Sequence, residues 1–108
     1  MREPKQGNPV GSQVFFVLHR HRFGQFTRAV LDRPRTADEP RLRLSDDRGQ
    51  ILELRGTLGG YRGQSPRATI WILRIAGVDD HFDRMEQGAP ISALEDFVYA
   101  NEYFTWER

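Results

Sequence analysis

No cysteine occurs in the 108 residues. That absence excludes a disulfide framework, a thiol nucleophile and every thiolate zinc or iron–sulfur site, and it fits a reducing compartment. Long apolar runs are missing too: none approaches the roughly 18 residues needed to span a bilayer, and the first residues hold no apolar signal core. The expected location is therefore the cytoplasm. Net charge is almost absent, at +1 from sixteen Lys/Arg and fifteen Asp/Glu. Lysine is nearly absent as well, Lys5 being the only one among the sixteen cations. Arginine makes planar two-point contacts to phosphate or carboxylate better than lysine does. A GC-rich coding sequence produces the same bias, so the arginine choice alone decides nothing.

What is present is an uneven layout of charge. Residues 1–35 carry seven Lys/Arg against two acids, residues 36–78 seven against five, and residues 79–108 two against eight. A basic beginning thus passes into an acidic end. Hydrophobic content of 38% with 11% aromatics, arranged in patterned segments, marks a globular chain rather than a disordered one. Its length suits one domain with one core. Residues 1–12, with two prolines and two glycines, read as a flexible N-terminal arm, and 13–108 as a single domain.

The segment 68–77 is the longest nearly uninterrupted apolar run. Trp71, Leu73 and Ile75 alternate with Ile70 and Ile72, so it reads as a central strand needing cover on both faces. Residues 13–21 read as a first strand, with Val14, Phe16 and Leu18 on one side and Phe15 and Val17 on the other. A second strand is expected over 25–31. The clearest local signal follows: 41–45 and 50–55 alternate polar and apolar residues around Asp46, Asp47, Arg48 and Gly49, which predicts a β-hairpin. Leu42 and Leu44 should face the same core as Leu52 and Leu54, with Arg41, Arg43, Glu53 and Arg55 as a solvated outer ladder. Asp79 is placed to cap a short helix over 80–87 that stops at Gly88. Ser92 and Glu95 form a capping box for a longer helix to about Thr105, although residues 103–106 suit a short strand equally well. The fold class expected is α+β: a five-stranded, strongly curved antiparallel sheet, as a meander or small barrel, followed by a short helix and a longer C-terminal helix packed on it.

Three clusters invite a chemical reading. His19, Arg20, His21, Arg22 and Phe23 form the densest basic group, and on a strand both histidines would point the same way. Gly59, Gly60, Tyr61, Arg62, Gly63 and Arg67 combine glycine amides, cations and a ring, as a nucleic-acid loop does. That loop lacks the Lys–Ser/Thr ending of a phosphate-binding loop and is not expected to lead into a helix. Asp79, Asp80, His81 and Asp83 gather carboxylates around a histidine, but carboxylates at a helix start are explained by the helix dipole. Ser45, Ser65 and Ser92 lack a nucleophile-elbow context, and no catalytic residue, metal ligand or cofactor is expected.

The sequence points to a small non-enzymatic binding module. Its first expected partner is a polyanion, foremost nucleic-acid backbone, met by Arg20, Arg22, Arg28, Tyr61, Arg62 and Arg67. The alternative is a protein-interaction module, as adaptor, inhibitor or homo-oligomer, using Glu95, Tyr99, Glu102 and Trp106 of the acidic, aromatic C-terminal segment. Of these, Tyr99 and Trp106 are expected to be partly exposed. No membrane partner and no small-molecule substrate is expected.

Overall fold

The computed structural model describes residues 1–4, 8–33, 39–78, 83–86 and 89–107. The chain is α+β, but its main sheet is open and has four antiparallel strands in the order β3–β2–β1–β6. They are β1 (Phe26–Leu31), β2 (Leu42–Asp46), β3 (Ile51–Leu54) and β6 (Phe104–Glu107), while β4 (Asp83–Glu86) and β5 (Ala89–Ser92) pair as a separate hairpin. Helices α1 (Pro9–His19), α2 (Gln64–Ile75) and α3 (Ala93–Ala100) complete the described elements. The expectation of five strands in a strongly curved meander or barrel is thus corrected.

Two of the expected strands are helices. The segment 13–21 falls in α1 and the 3₁₀ turn that follows it, and α1 starts where the Asn8 side chain accepts a hydrogen bond from the Gly11 amide at 2.7 Å and Pro9 occupies the first turn. The segment 68–77 belongs to α2. That helix has Pro66 in its first turn and ends in Gly77 at φ +94°, with the Val78 amide donating to Leu73 O and the Gly77 amide to Arg74 O. This pair of bonds is the glycine stop in which a left-handed residue satisfies the last carbonyls of a helix. Both runs are apolar on every side, and such a run satisfies a period of 2 as well as one of 3.6.

The C-terminal elements also differ from expectation. Asp83 to Glu86, assigned by sequence to a helix over 80–87, form β4, and Asp79 lies outside the described residues. Pro90 favours extended backbone at Ala89, which suits β5. Helix α3 stops at Ala100 rather than near Thr105, and Asn101 turns its side chain back to donate to Phe97 O at 2.8 Å. The alternative reading of 103–106 as a strand is the one realised, as β6.

The 41–55 hairpin forms as read, with Leu42 opposite Leu54 and Leu44 opposite Leu52. Asp46 organises its turn. One carboxylate oxygen accepts from the Arg48 and Gln50 amides and the other from the Gly24 amide and the Gln50 side chain, at 2.7–3.0 Å. Burial alone would raise the Asp46 carboxyl, but these donors hold it below the ordinary aspartate value of 3.8. Residues 1–12 are in part tied down: the Glu3 amide donates to Glu53 O and the Glu53 amide to Met1 O along the β3 edge, and Pro9 to Ser12 open α1.

All three helices lie on one face of the sheet. Ala29, Leu31, Leu42, Leu44, Leu52, Leu54, Phe104 and Trp106 meet Phe16 of α1, Ile70, Ile72 and Leu73 of α2, and Leu94 and Val98 of α3. A register irregularity between Phe26 and Arg28 turns Phe26 to the core side as well. The helical layer is fastened by a buried polar chain: Ser12 Oγ donates to Glu3 Oε1 at 2.5 Å, the Gly56 amide to Ser12 Oγ at 2.7 Å, and Ser65 Oγ to Gly56 O at 2.7 Å. Each group is partnered, so the chain locks α1 and α2 without leaving an orphan donor along it.

Candidate docking face

Helix α1 has no charged residue before His19, and its apolar side chains surround its axis. Only Phe16 and Ser12 of this helix are buried. Val10, Val14, Val17 and Leu18 stand 67%, 51%, 49% and 60% exposed. Their spacing of four, three and one places them on one side of a helix, the side turned away from the sheet. A helix that is apolar all round is ordinarily one that is covered all round.

Helix α2 continues this surface. It buries Ala68, Thr69, Ile72 and Leu73 and turns Trp71 outward at 39% exposure, with Arg67 and Arg74 on the same outer side. Thr69 Oγ1 donates to Leu58 O at 2.7 Å, fixing α2 against the preceding loop. Between the two helices runs a shallow groove of ≈ 420 Å³ lined by Val10, Gln13, Val14, Val17, Leu18 and Trp71. Adjoining depressions bring Arg67 beside the same tryptophan.

Beside the groove Arg67 and Arg74 border Trp71, and Glu95 of α3 stands with them. Residues 8–22 and 56–78 contain five arginines (Arg20, Arg22, Arg62, Arg67 and Arg74) and no Asp or Glu. Arg74 reaches Glu95 of α3 at 2.8 Å, and the Arg62 guanidinium lies over the Tyr99 ring at 4.6 Å. Arg20 lies 6.0 Å from the Phe16 ring centroid. Among the described residues Arg20, Arg22, Arg62 and Arg67 form no ion pair.

The residues singled out from sequence are divided by this geometry. Arg67 stands beside Trp71, Arg62 over Tyr99, Arg20 over Phe16 and Arg22 next to the hairpin turn, where its carbonyl accepts from Gln50, whereas Arg28 projects from the opposite face of the sheet and pairs with Glu107 at 3.0 Å. Tyr61 is exposed and borders a different cleft, of ≈ 450 Å³, where Arg33 and Arg41 stand with Asp32, Glu102 and Tyr103. That cleft carries both signs of charge. The Tyr103 hydroxyl donates to Glu102 at 2.9 Å, a bond that raises its pKa above the ordinary 10.0. In the second expected set Glu95 is engaged by Arg74, Tyr99 is half-buried under Arg62, and Trp106 is buried in the core rather than exposed.

His19 and His21 do not share a side. His19 is in α1 with its ring 4.4 Å from Phe15, and His21 is in the single-turn 3₁₀ helix Arg20–Arg22; two residues apart, helical side chains diverge. The glycine loop does run into a helix, with Gly63 at the cap position of α2, contrary to expectation, though it still lacks the Lys–Ser/Thr ending. Ser65 is used as a structural donor. Of the acidic cluster, Asp79, Asp80 and His81 lie outside the described residues and Asp83 is in β4. Among the described residues no three His, Cys, Asp or Glu side chains converge as metal ligands, and no helix is long and apolar enough to cross a membrane. Comparison with protein-family models, with curated proteins and with solved structures finds no match to this chain.

Proposed function

We propose that this chain is a small non-enzymatic protein-docking module whose docking face is the outer side of α1 and α2. One observation carries the reading: four aliphatic side chains of α1, each about half exposed or more, surround a groove beside the half-exposed Trp71. Contiguous apolar surface on a small domain marks an interaction site. A tryptophan ringed by aliphatic groups, with arginine at the margin, has the composition of an interface centre. This moves the protein-interaction reading from the acidic C-terminal segment, where Trp106 is core and Glu95 is paired, to the helical layer.

Site-specific photocrosslinking in the cells that make the protein tests this. A crosslinker at position 14 or 18 is expected to give a protein adduct of one defined mass, lost when Trp71 is replaced by Ala, and none from position 105 on the outer sheet face. Adducts to nucleic acid or lipid, or equal adducts from all three positions, would contradict it.

The polyanion reading keeps one supporting observation, the absence of carboxylates from 8–22 and 56–78. Neutralising several phosphates makes affinity fall steeply with salt. Binding of the chain to duplex or single-stranded nucleic acid that is absent, or unchanged between low and high salt, removes it.

A further inference from the structure

We infer that the occupant of the α1–α2 groove is an amphipathic helix of another protein, with an aliphatic seam and acidic flanks. This rests on the docking face proposed above and names the chemistry of what fills it. Val10 to Leu18 extends over two turns of α1, about 12 Å of helix at 1.5 Å per residue. A trough of that length, apolar along its floor, matches side chains at i, i+4 and i+7 of a second helix.

The margins decide the charge of that helix. Arg67 flanks Trp71 in the depressions that adjoin the groove. Glu95, the carboxylate beside them, is held by Arg74 at 2.8 Å, and Arg67 forms no ion pair among the described residues. Charge across an interface is complementary, and like charges brought face to face cost several kcal/mol. A second copy docked through this same face would set arginine against arginine around the groove, so the occupant presents a different, acidic surface. A nucleic acid could stack on Trp71 but would leave Val14, Val17 and Leu18 unused, because they offer neither hydrogen bonds nor flat rings.

The test is a displayed library of helical peptides with a fixed leucine seam and flanks randomised among Glu, Lys, Gln and Ser, selected on the intact chain. Selection is expected to enrich glutamate over lysine about tenfold or more. A selected peptide should bind the Val14→Gln/Leu18→Gln double variant about tenfold or more weakly, with the unfolding midpoint of that variant unchanged. Arg67→Glu should erase much of the glutamate preference while leaving the apolar contact. Neutral or basic peptides that still require Val14 and Leu18 would overturn the acidic chemistry and leave the docking face standing. So would a dimer seen by sedimentation and lost in the double variant. Peptides indifferent to the double variant, or no enriched peptide together with binding to phosphatidylcholine–phosphatidylserine vesicles, would overturn both.

Discussion

On the outer side of the sheet Arg28 lies 3.0 Å from Glu107, Arg43 3.2 Å from Glu53 and Arg2 3.3 Å from the same glutamate. On the outer side of the helices Arg67 meets no carboxylate among the described residues, and Val10, Val14, Val17 and Leu18 stand about half exposed or more. The sheet face satisfies itself: alternation puts leucines inward and opposite charges side by side outward. The helical face carries apolar groups that no described residue covers. One surface pairs its own side chains; the other is the face for which a docked partner is proposed.

The two sides of α1 sharpen this contrast, because only the inward side serves the fold. Phe16→Ala should have the largest effect. This fully buried ring packs 6.2 Å from that of Phe26, and its removal should lower stability by about 3–5 kcal/mol in urea unfolding. Ser12→Ala comes next. It leaves the Gly56 amide without its buried acceptor and removes one of two donors to Glu3 Oε1, which keeps the Arg55 amide at 2.9 Å, so a loss of about 1–3 kcal/mol is expected by the same measurement. On one helix, a polar residue facing inward then matters more than aliphatic residues facing outward.

The sheet face gives a smaller effect with a sign in pH. Burial would raise the Glu53 carboxyl, but hydrogen bonds and charge from Arg2 and Arg43 hold it below the ordinary glutamate value of 4.5. A depressed folded-state pKa contributes stability that is complete above the unfolded value and is lost as pH falls through the folded one. Glu53→Gln should therefore cost up to about 1 kcal/mol at neutral pH. The difference from the unsubstituted chain should shrink as pH drops below 4.5. A difference that is constant with pH would show that the ion pairs are idle.

The same contrast explains what could be read without coordinates. The hairpin was legible because its alternation is clean: only Leu42, Leu44, Leu52 and Leu54 are apolar at regular inward positions, and Asp46 and Gly49 mark the turn. Strand β1 was read on a less clean alternation, which the irregularity between Phe26 and Arg28 explains, and β6 only as an alternative, from residues that favour a strand. Helices α1 and α2 were not legible, since a run apolar on every side gives both periods, and β-branched Val and Ile tilt the choice toward a strand. The deciding signals were at the ends: Asn8 and Pro9 before α1, Pro66 in the first turn of α2, and Gly77 after it.

That error also hid the docking face. At a period of 2, Val14 and Leu18 share a side and Val17 takes the other; at 3.6 residues per turn all three join Val10 on one side. Trp71, read as the middle of a buried strand, is the outward residue of α2 between Ile70 and Ile72. The arginines were visible as residues but not as a surface, because Arg28 had to be separated from the rest by knowing which elements are helices.

The central statement is that the aliphatic residues on the outer side of α1 serve a partner rather than the fold. Equilibrium unfolding of the Val14→Gln/Leu18→Gln double variant in urea tests it most directly. The account predicts a free energy of unfolding within about 0.5 kcal/mol of the unsubstituted chain, as for ordinary surface positions. A fall of about 2 kcal/mol or more, the range of a core truncation, would show that these side chains hold the molecule itself together and would contradict a docking role.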